Sequence, residues 1–106
     1  MSMFEVIIFA VLASFTLGAI VASLVAHVTC GICLTQVGVS ERALRMTADH
    51  AATREQFGQP IALFQAVSQR VADAFIDTEA IRLTAWQAAW RLAEGLPAAD
   101  EVAIAK

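Results

Sequence analysis

The stretch Ala51–Gln65, Ala-Ala-Thr-Arg-Glu-Gln-Phe-Gly-Gln-Pro-Ile-Ala-Leu-Phe-Gln, separates two segments with helical periodicity. Upstream, residues 37–56 read as helix: Leu44, Ala48 and Ala51 share a stripe, with Arg42, Arg45 and Asp49 off it. Phe57-Gly58-Gln59-Pro60 interrupts that pattern. A glycine just past one helix and a proline at the start of the next is the asymmetry expected of a helix–turn–helix join. Downstream, residues 61–94 carry the strongest helical signal in the chain. Phe64, Val67, Val71, Ala74, Ile81, Ala85, Ala88 and Leu92 follow three-and-four spacing, opposite Gln69, Asp73, Asp77, Thr84, Gln87, Arg91 and Glu94. A helix of that length would run about 50 Å, far beyond the usual three turns.

Gly95-Leu96-Pro97 stops this segment, and Asp100-Glu101 opens a further short helix with acidic residues where the helix dipole favours them. No segment after Val37 shows sustained two-residue alternation, so a sheet is not expected. The expected fold is all-α: long antiparallel helices forming an incomplete four-helix bundle, behind an apolar N-terminal helix. Two long helices and a stub cannot cover their own apolar faces, so bundle faces must meet partners, in a homo- or hetero-oligomer.

The chain has 106 residues, 58% hydrophobic and only 16% charged, with a net charge of −3. That length fits one small domain and excludes a complete cofactor-dependent catalytic machine. The acidic balance excludes nucleic acid as a partner, since phosphate binding needs a basic patch. The apolar content excludes disorder, and two cysteines cannot build a disulfide framework. The charge is unevenly placed. Glu5 is the sole charged residue before Glu41, leaving residues 6–40 as a 35-residue run without Asp, Glu, Lys or Arg.

Within that run, eighteen of the 23 residues from Val6 to Val28 are apolar. This is long enough to cross a bilayer core of roughly 30 Å. Ala10, Ser14, Gly18, Ala22 and Ala26 recur every fourth position, a small-residue stripe of the kind that lets membrane helices approach. Arg42 and Arg45, the first cations after the run, would place the following part on the cytoplasmic side. No Lys or Arg precedes the run, which argues against a cleavable signal peptide. Two readings stay open: a transmembrane segment, or an apolar helix buried in a larger assembly.

The Ala51–Gln65 stretch resembles the C-terminal helical domain of the acyl-CoA dehydrogenases, whose pattern is Arg-x-x-Phe-Gly-x-x-Ile, a turn, then Phe-Gln opening a long helix. Here these residues are Arg54, Phe57, Gly58, Ile61, Phe64 and Gln65. The likeness continues through Val71-Ala72-Asp73, Glu79-Ala80-Ile81-Arg82-Leu83 and Ala88-Ala89-Trp90, and backwards through Glu41-Arg42-Ala43-Leu44 and Val37-Gly38-Val39. The division it suggests is residues 1–30 as an apolar helix and 31–106 as a truncated helical domain of that type.

The resemblance implies a cytoplasmic flavoenzyme that oxidises the Cα–Cβ bond of acyl-CoA thioesters, from fatty acids or sterol side chains. It implies that Arg54 reaches the pyrophosphate of FAD, usually across a subunit boundary, that Phe57 lies against the adenosine half, and that Gln65 hydrogen-bonds near the ribose or adenine. A guanidinium fork suits phosphate oxygens.

The departures are equally informative. The family's flavin-ring β-domain, its N-terminal helical domain and its downstream Gly-Gly helices are not in this sequence. The family's catalytic glutamate has no counterpart: its alternative place, counted back from Arg54, falls at Val28. No catalytic residue is therefore assigned, and acyl-CoA is a substrate only for a complete enzyme. The second reading, from another class, is a membrane-anchored helical interaction protein without catalysis, membrane-associated if residues 6–28 span.

Other signals weigh less. His27, Cys30 and Cys33 form His-x-x-Cys-x-x-Cys, but a metal would need a fourth ligand, and two buried thiols in an apolar helix explain the pattern; no metal site is assigned. His50 has no accompanying nucleophile or acid. Trp86 and Trp90 read as core or subunit-interface anchors, and Asp73 and Asp77 as solvated.

Overall fold

The computed structural model describes residues 2–106. Its first element, α1, is a single helix from Met3 to Thr53, 51 residues long. At 1.5 Å per residue it runs about 77 Å, within a molecule measuring 86 × 19 × 18 Å. The apolar run and the segment 37–56 are thus one rod, since nothing between Val6 and Ala51 breaks a helix. Its start is fixed by a capping box that the periodicity did not signal. The Glu5 N–H donates to Ser2 Oγ at 3.3 Å, and the Ser2 N–H donates to Glu5 Oε2 at 2.9 Å.

The join differs from a plain helix–turn–helix. α1 ends at Thr53, and a two-residue strand β1 (Glu55–Gln56) pairs antiparallel with β2 (Gln59–Pro60). A 3₁₀ turn, Ile61–Leu63, follows, and α2 begins at Gln65 and runs to Ala93, later than the expected start at residue 61. The physical reason lies at the hairpin tip, where both Phe57 (φ 54°) and Gly58 (φ 79°) are left-handed. That pair makes the two-residue turn matching strand twist. Pro60 then precedes the 3₁₀ turn rather than opening α2.

α2 packs antiparallel along the C-terminal half of α1, and α3 (Ala99–Ala105) folds back over both. The α2–α3 corner closes as expected around Gly95, in a left-handed conformation at φ 67°. The Leu96 N–H donates to the Arg91 carbonyl at 2.9 Å, and the Gly95 N–H to the Leu92 carbonyl at 3.2 Å, the two bonds of a Schellman motif.

The core is thin. One cluster joins Cys30 to Ala88, Ala98 and Val102, and a second joins Cys33 and Val37 to Ala85. Ala85 and Ala88 are fully buried because small side chains let the two helices approach closely. The expected α2 stripe needs one correction: Ala74 is exposed and Ile81 is at the margin, while Thr78 occupies the buried seam between Val71 and Ala85. Its hydroxyl donates to the Ala74 carbonyl at 2.7 Å, so burial leaves no orphan donor. Ion pairs stitch the elements at the rim. Arg82 Nε lies 2.9 Å from Glu41 of α1, close in charge but off hydrogen-bonding geometry, and Nη2 bonds Glu79 at 2.6 Å. Arg91 links to Glu101 of α3 at 3.1 Å.

Candidate functional site

Arg54 is held at its main chain and free at its side chain. Its N–H donates to the His50 carbonyl at 2.8 Å, and its carbonyl accepts from the Ile61 N–H at 2.8 Å. The residue is thereby clamped between the end of α1 and the base of the hairpin. Among the described residues its guanidinium enters no ion pair, and the residue is exposed. The link to Glu55-side neighbours that would make it structural is absent there.

Phe57 sits at the hairpin tip, 93% exposed. A left-handed conformation costs a non-glycine residue about 1–2 kcal/mol. Its ring meets Phe64 edge to face, centroids 6.2 Å apart and planes at 85°. Such a contact returns only about 0.5–1.5 kcal/mol, less at an exposed tip. An exposed aromatic held in a costly backbone state marks a place to look for function. Gln65 is the first residue of α2, exposed, and follows an N-cap, Phe64, that offers no side-chain acceptor to the first amides. The structure therefore brings all three residues to one end of the α1–α2 pair, around a single hairpin. The positive φ at Phe57 was not legible beforehand, because only Gly58 signals a left-handed position in the sequence.

Two apolar grooves flank the α1–α2 seam behind this hairpin. One, of about 710 Å³, lies between Leu44, Ala48, Phe75 and Ile76, with Glu41 and Arg82 at its edge. The other, of about 620 Å³, runs past Ala43, Thr47, Val67 and Arg70. Neither holds a carboxylate isolated in apolar surroundings of the kind needed for proton abstraction from carbon.

Cys30 and Cys33 are buried free thiols at the α1–α2–α3 contact. Burial, and then the neighbouring Cys33, push the Cys30 thiol above its ordinary value, the opposite of an activated thiol. His27 Nδ1 lies 2.7 Å from the Ser23 carbonyl on its own helix. Among the described residues no group of three or more His, Cys, Asp or Glu is placed to hold a metal. Trp86 and Trp90 are 59% and 57% exposed, which removes the core from their two expected roles.

The family model for the acyl-CoA dehydrogenase C-terminal domain matches residues 19–106. The chain belongs to the acyl-CoA dehydrogenase family. Acyl-CoA dehydrogenase FadE27 of Mycobacterium tuberculosis is 59% identical over 66 residues, 62% of this chain but 18% of that protein. Among solved structures, the ChsE4–ChsE5 complex from Mycobacterium tuberculosis matches with a TM-score of 0.70 and 56% identity, over 73% of this chain and 21% of that one. PigA with FAD and proline matches with a TM-score of 0.70 and 32% identity, over 73% of this chain and 20% of that one. The chain thus spans about a fifth of the acyl-CoA dehydrogenases it matches.

Proposed function

We propose that this chain is the dinucleotide-contacting part of an FAD-dependent acyl-CoA dehydrogenase, supplying Arg54, Phe57 and Gln65 to FAD held at a subunit boundary. The observation carrying this is the hairpin. It presents an unpaired guanidinium, a strained exposed ring and an exposed amide together at an open end of the helix pair. These groups fit the pyrophosphate and adenosine half of FAD. Arg54 would hold the phosphates by charge-assisted hydrogen bonds, Phe57 would cover an adenosine face, and Gln65 would bond a ribose or base atom. FAD, when bound, supplies the hydride acceptor for α,β-dehydrogenation of an acyl-CoA thioester.

None of the described residues supplies a base for the α-proton, so on this reading dehydrogenation needs a base and a flavin-ring site from outside these residues. The core supports that need. Its buried hydrophobic members are cysteine, valine and alanine, while Phe75, Ile76, Leu83, Trp86 and Trp90 stay exposed. Helical-bundle faces of this kind fit a homo- or hetero-oligomer, as in the complex of ChsE4 with ChsE5. The domain would work on the cytoplasmic side.

FAD binding by the full chain, followed by fluorescence quenching at low ionic strength, tests this. Arg54→Ala removes a charge-assisted contact worth about 1.5–3 kcal/mol, so affinity should fall roughly ten- to hundredfold. Helical content should not change, because the Arg54 side chain supports nothing else. Equal affinity of Arg54→Ala and the native chain would remove the role assigned to the hairpin.

A further inference from the structure

We propose that residues 6–28 of α1 span a lipid bilayer, with the packed helices standing on its cytoplasmic face. This placement goes beyond the flavin reading and is independent of it. Every residue from Met3 to Val25 is exposed, and the first buried residue of α1 is Cys30. The unpacked rod is therefore about 35 Å long, matching a hydrocarbon core of roughly 30 Å with some tilt.

What surrounds the rod follows from how its apolar residues are distributed. A partner helix or a second copy covers one stripe and leaves the rest to water, so such helices keep a polar face. Here Phe4, Val6, Ile7, Phe9, Leu12 and Leu17 are spread around the whole circumference and leave no side of the rod polar, and each is about half exposed or more. A surface apolar on every side needs a cover on every side, and a bilayer supplies one without any partner.

The polar side chains within the rod turn inward on the backbone. Ser14 Oγ donates to the Ala10 carbonyl at 2.8 Å, Thr16 Oγ1 to the Ala13 carbonyl at 2.9 Å, and His27 Nδ1 sits 2.7 Å from the Ser23 carbonyl. A helix in lipid needs its polar groups satisfied within itself in this way.

The packed part overlaps the last turn of the run, where a headgroup boundary would fall: from Ala88 beside Cys30, antiparallel α2 carries Arg91 and Glu94 back to the level of residues 24–27. Ala88 packs against Cys30, two residues beyond the end of the proposed span. Trp86 and Trp90 flank Ala88 on antiparallel α2 and are 59% and 57% exposed, at the level where interfacial tryptophans sit. Arg42 and Arg45 follow on that side, which orients it toward the cytoplasm and Glu5 away from it. The Arg54 hairpin, 26 residues beyond Val28, would then stand about 39 Å from the membrane edge.

The full chain is expressed in bacteria, membranes are extracted with alkaline carbonate, and the extract is floated on a sucrose gradient. The expected result is a chain that floats with the vesicles. Leu17→Arg should lower the floated fraction at least about tenfold, by placing a cation at mid-span. Replacing residues 6–28 with a leucine–alanine span of equal length should keep the chain floating, so loss in Leu17→Arg cannot be assigned to a folding failure of α2 and α3. A chain released by carbonate as a soluble dimer, with the rods paired, overturns the proposal, as does a pellet that does not float. Arg54→Ala should float like the native chain, so failure of the flavin reading leaves this test intact.

Discussion

The two halves of α1 share one helix and have opposite environments. From Met3 to Val25 every side chain is exposed, whereas Cys30, Cys33 and Val37 are buried against α2 and α3, and Ala51 is buried at the hairpin end of α1. The backbone hydrogen bonds are the same in both halves, so helix formation does not distinguish them. The lesson is that apolarity and burial are separate quantities. Cys30, Cys33 and Val37 lie in the same charge-free run as the exposed rod, so what separates the two halves is whether α2 and α3 lie alongside, not their charge.

Removing residues 2–25 should have the largest effect. Recovery in the aqueous fraction should rise from a minor to the major share, while the urea midpoint of the remaining helices stays unchanged. A lowered midpoint would show that the rod contributes to packing after all. A smaller and sharper contrast is one substitution made in each half. Ala88→Leu overfills the contact with Cys30 and should cost about 1–3 kcal/mol in urea unfolding. Ala22→Leu, on the exposed rod, should stay within about ±0.5 kcal/mol. Equal effects would erase the distinction between the halves.

The hairpin beyond α1 offers a third test. A Cβ at Gly58 would meet no atom within 4 Å, but the residue sits at φ 79°. Gly58→Ala should therefore cost about 1 kcal/mol through backbone conformation alone. Urea unfolding checks the size, and a measurably lower FAD affinity would tie the hairpin's shape to the site. The smallest effect belongs to pH. Cys30, where the buried half begins, is held above its ordinary 9.0 by burial and by Cys33. The unfolded chain therefore loses that proton first. Stability should be flat below 9.0 and fall as pH rises through and above it. Cys30→Ala should abolish this fall, and persistence of the slope in that variant would assign it elsewhere.

Much of the architecture was legible in the residues. The three-and-four spacing of Val67, Val71, Ala85, Ala88 and Leu92 specified α2, and Gly95-Leu96-Pro97 specified its end. The motif Arg54, Phe57, Gly58, Ile61, Phe64 and Gln65 specified the family. Illegible were the break before residue 65 and the buried place of Thr78. A two-residue turn led by phenylalanine lacks the Asn-Gly or Asp-Gly signature. A threonine that bonds its own helix is, to the neighbouring helix, a small apolar surface.

By itself, then, the sequence determined which segments are helical, where α2 ends and which family the chain joins, because these follow from local spacing and from a contiguous motif. Only the tertiary structure decided which apolar residues are covered, that Arg54 is clamped at its main chain yet free at its guanidinium, and that Phe57 points into solvent. Those facts depend on the separation of α1 and α2 and on two left-handed residues at the hairpin tip, and neither is encoded in the periodicity of any one segment.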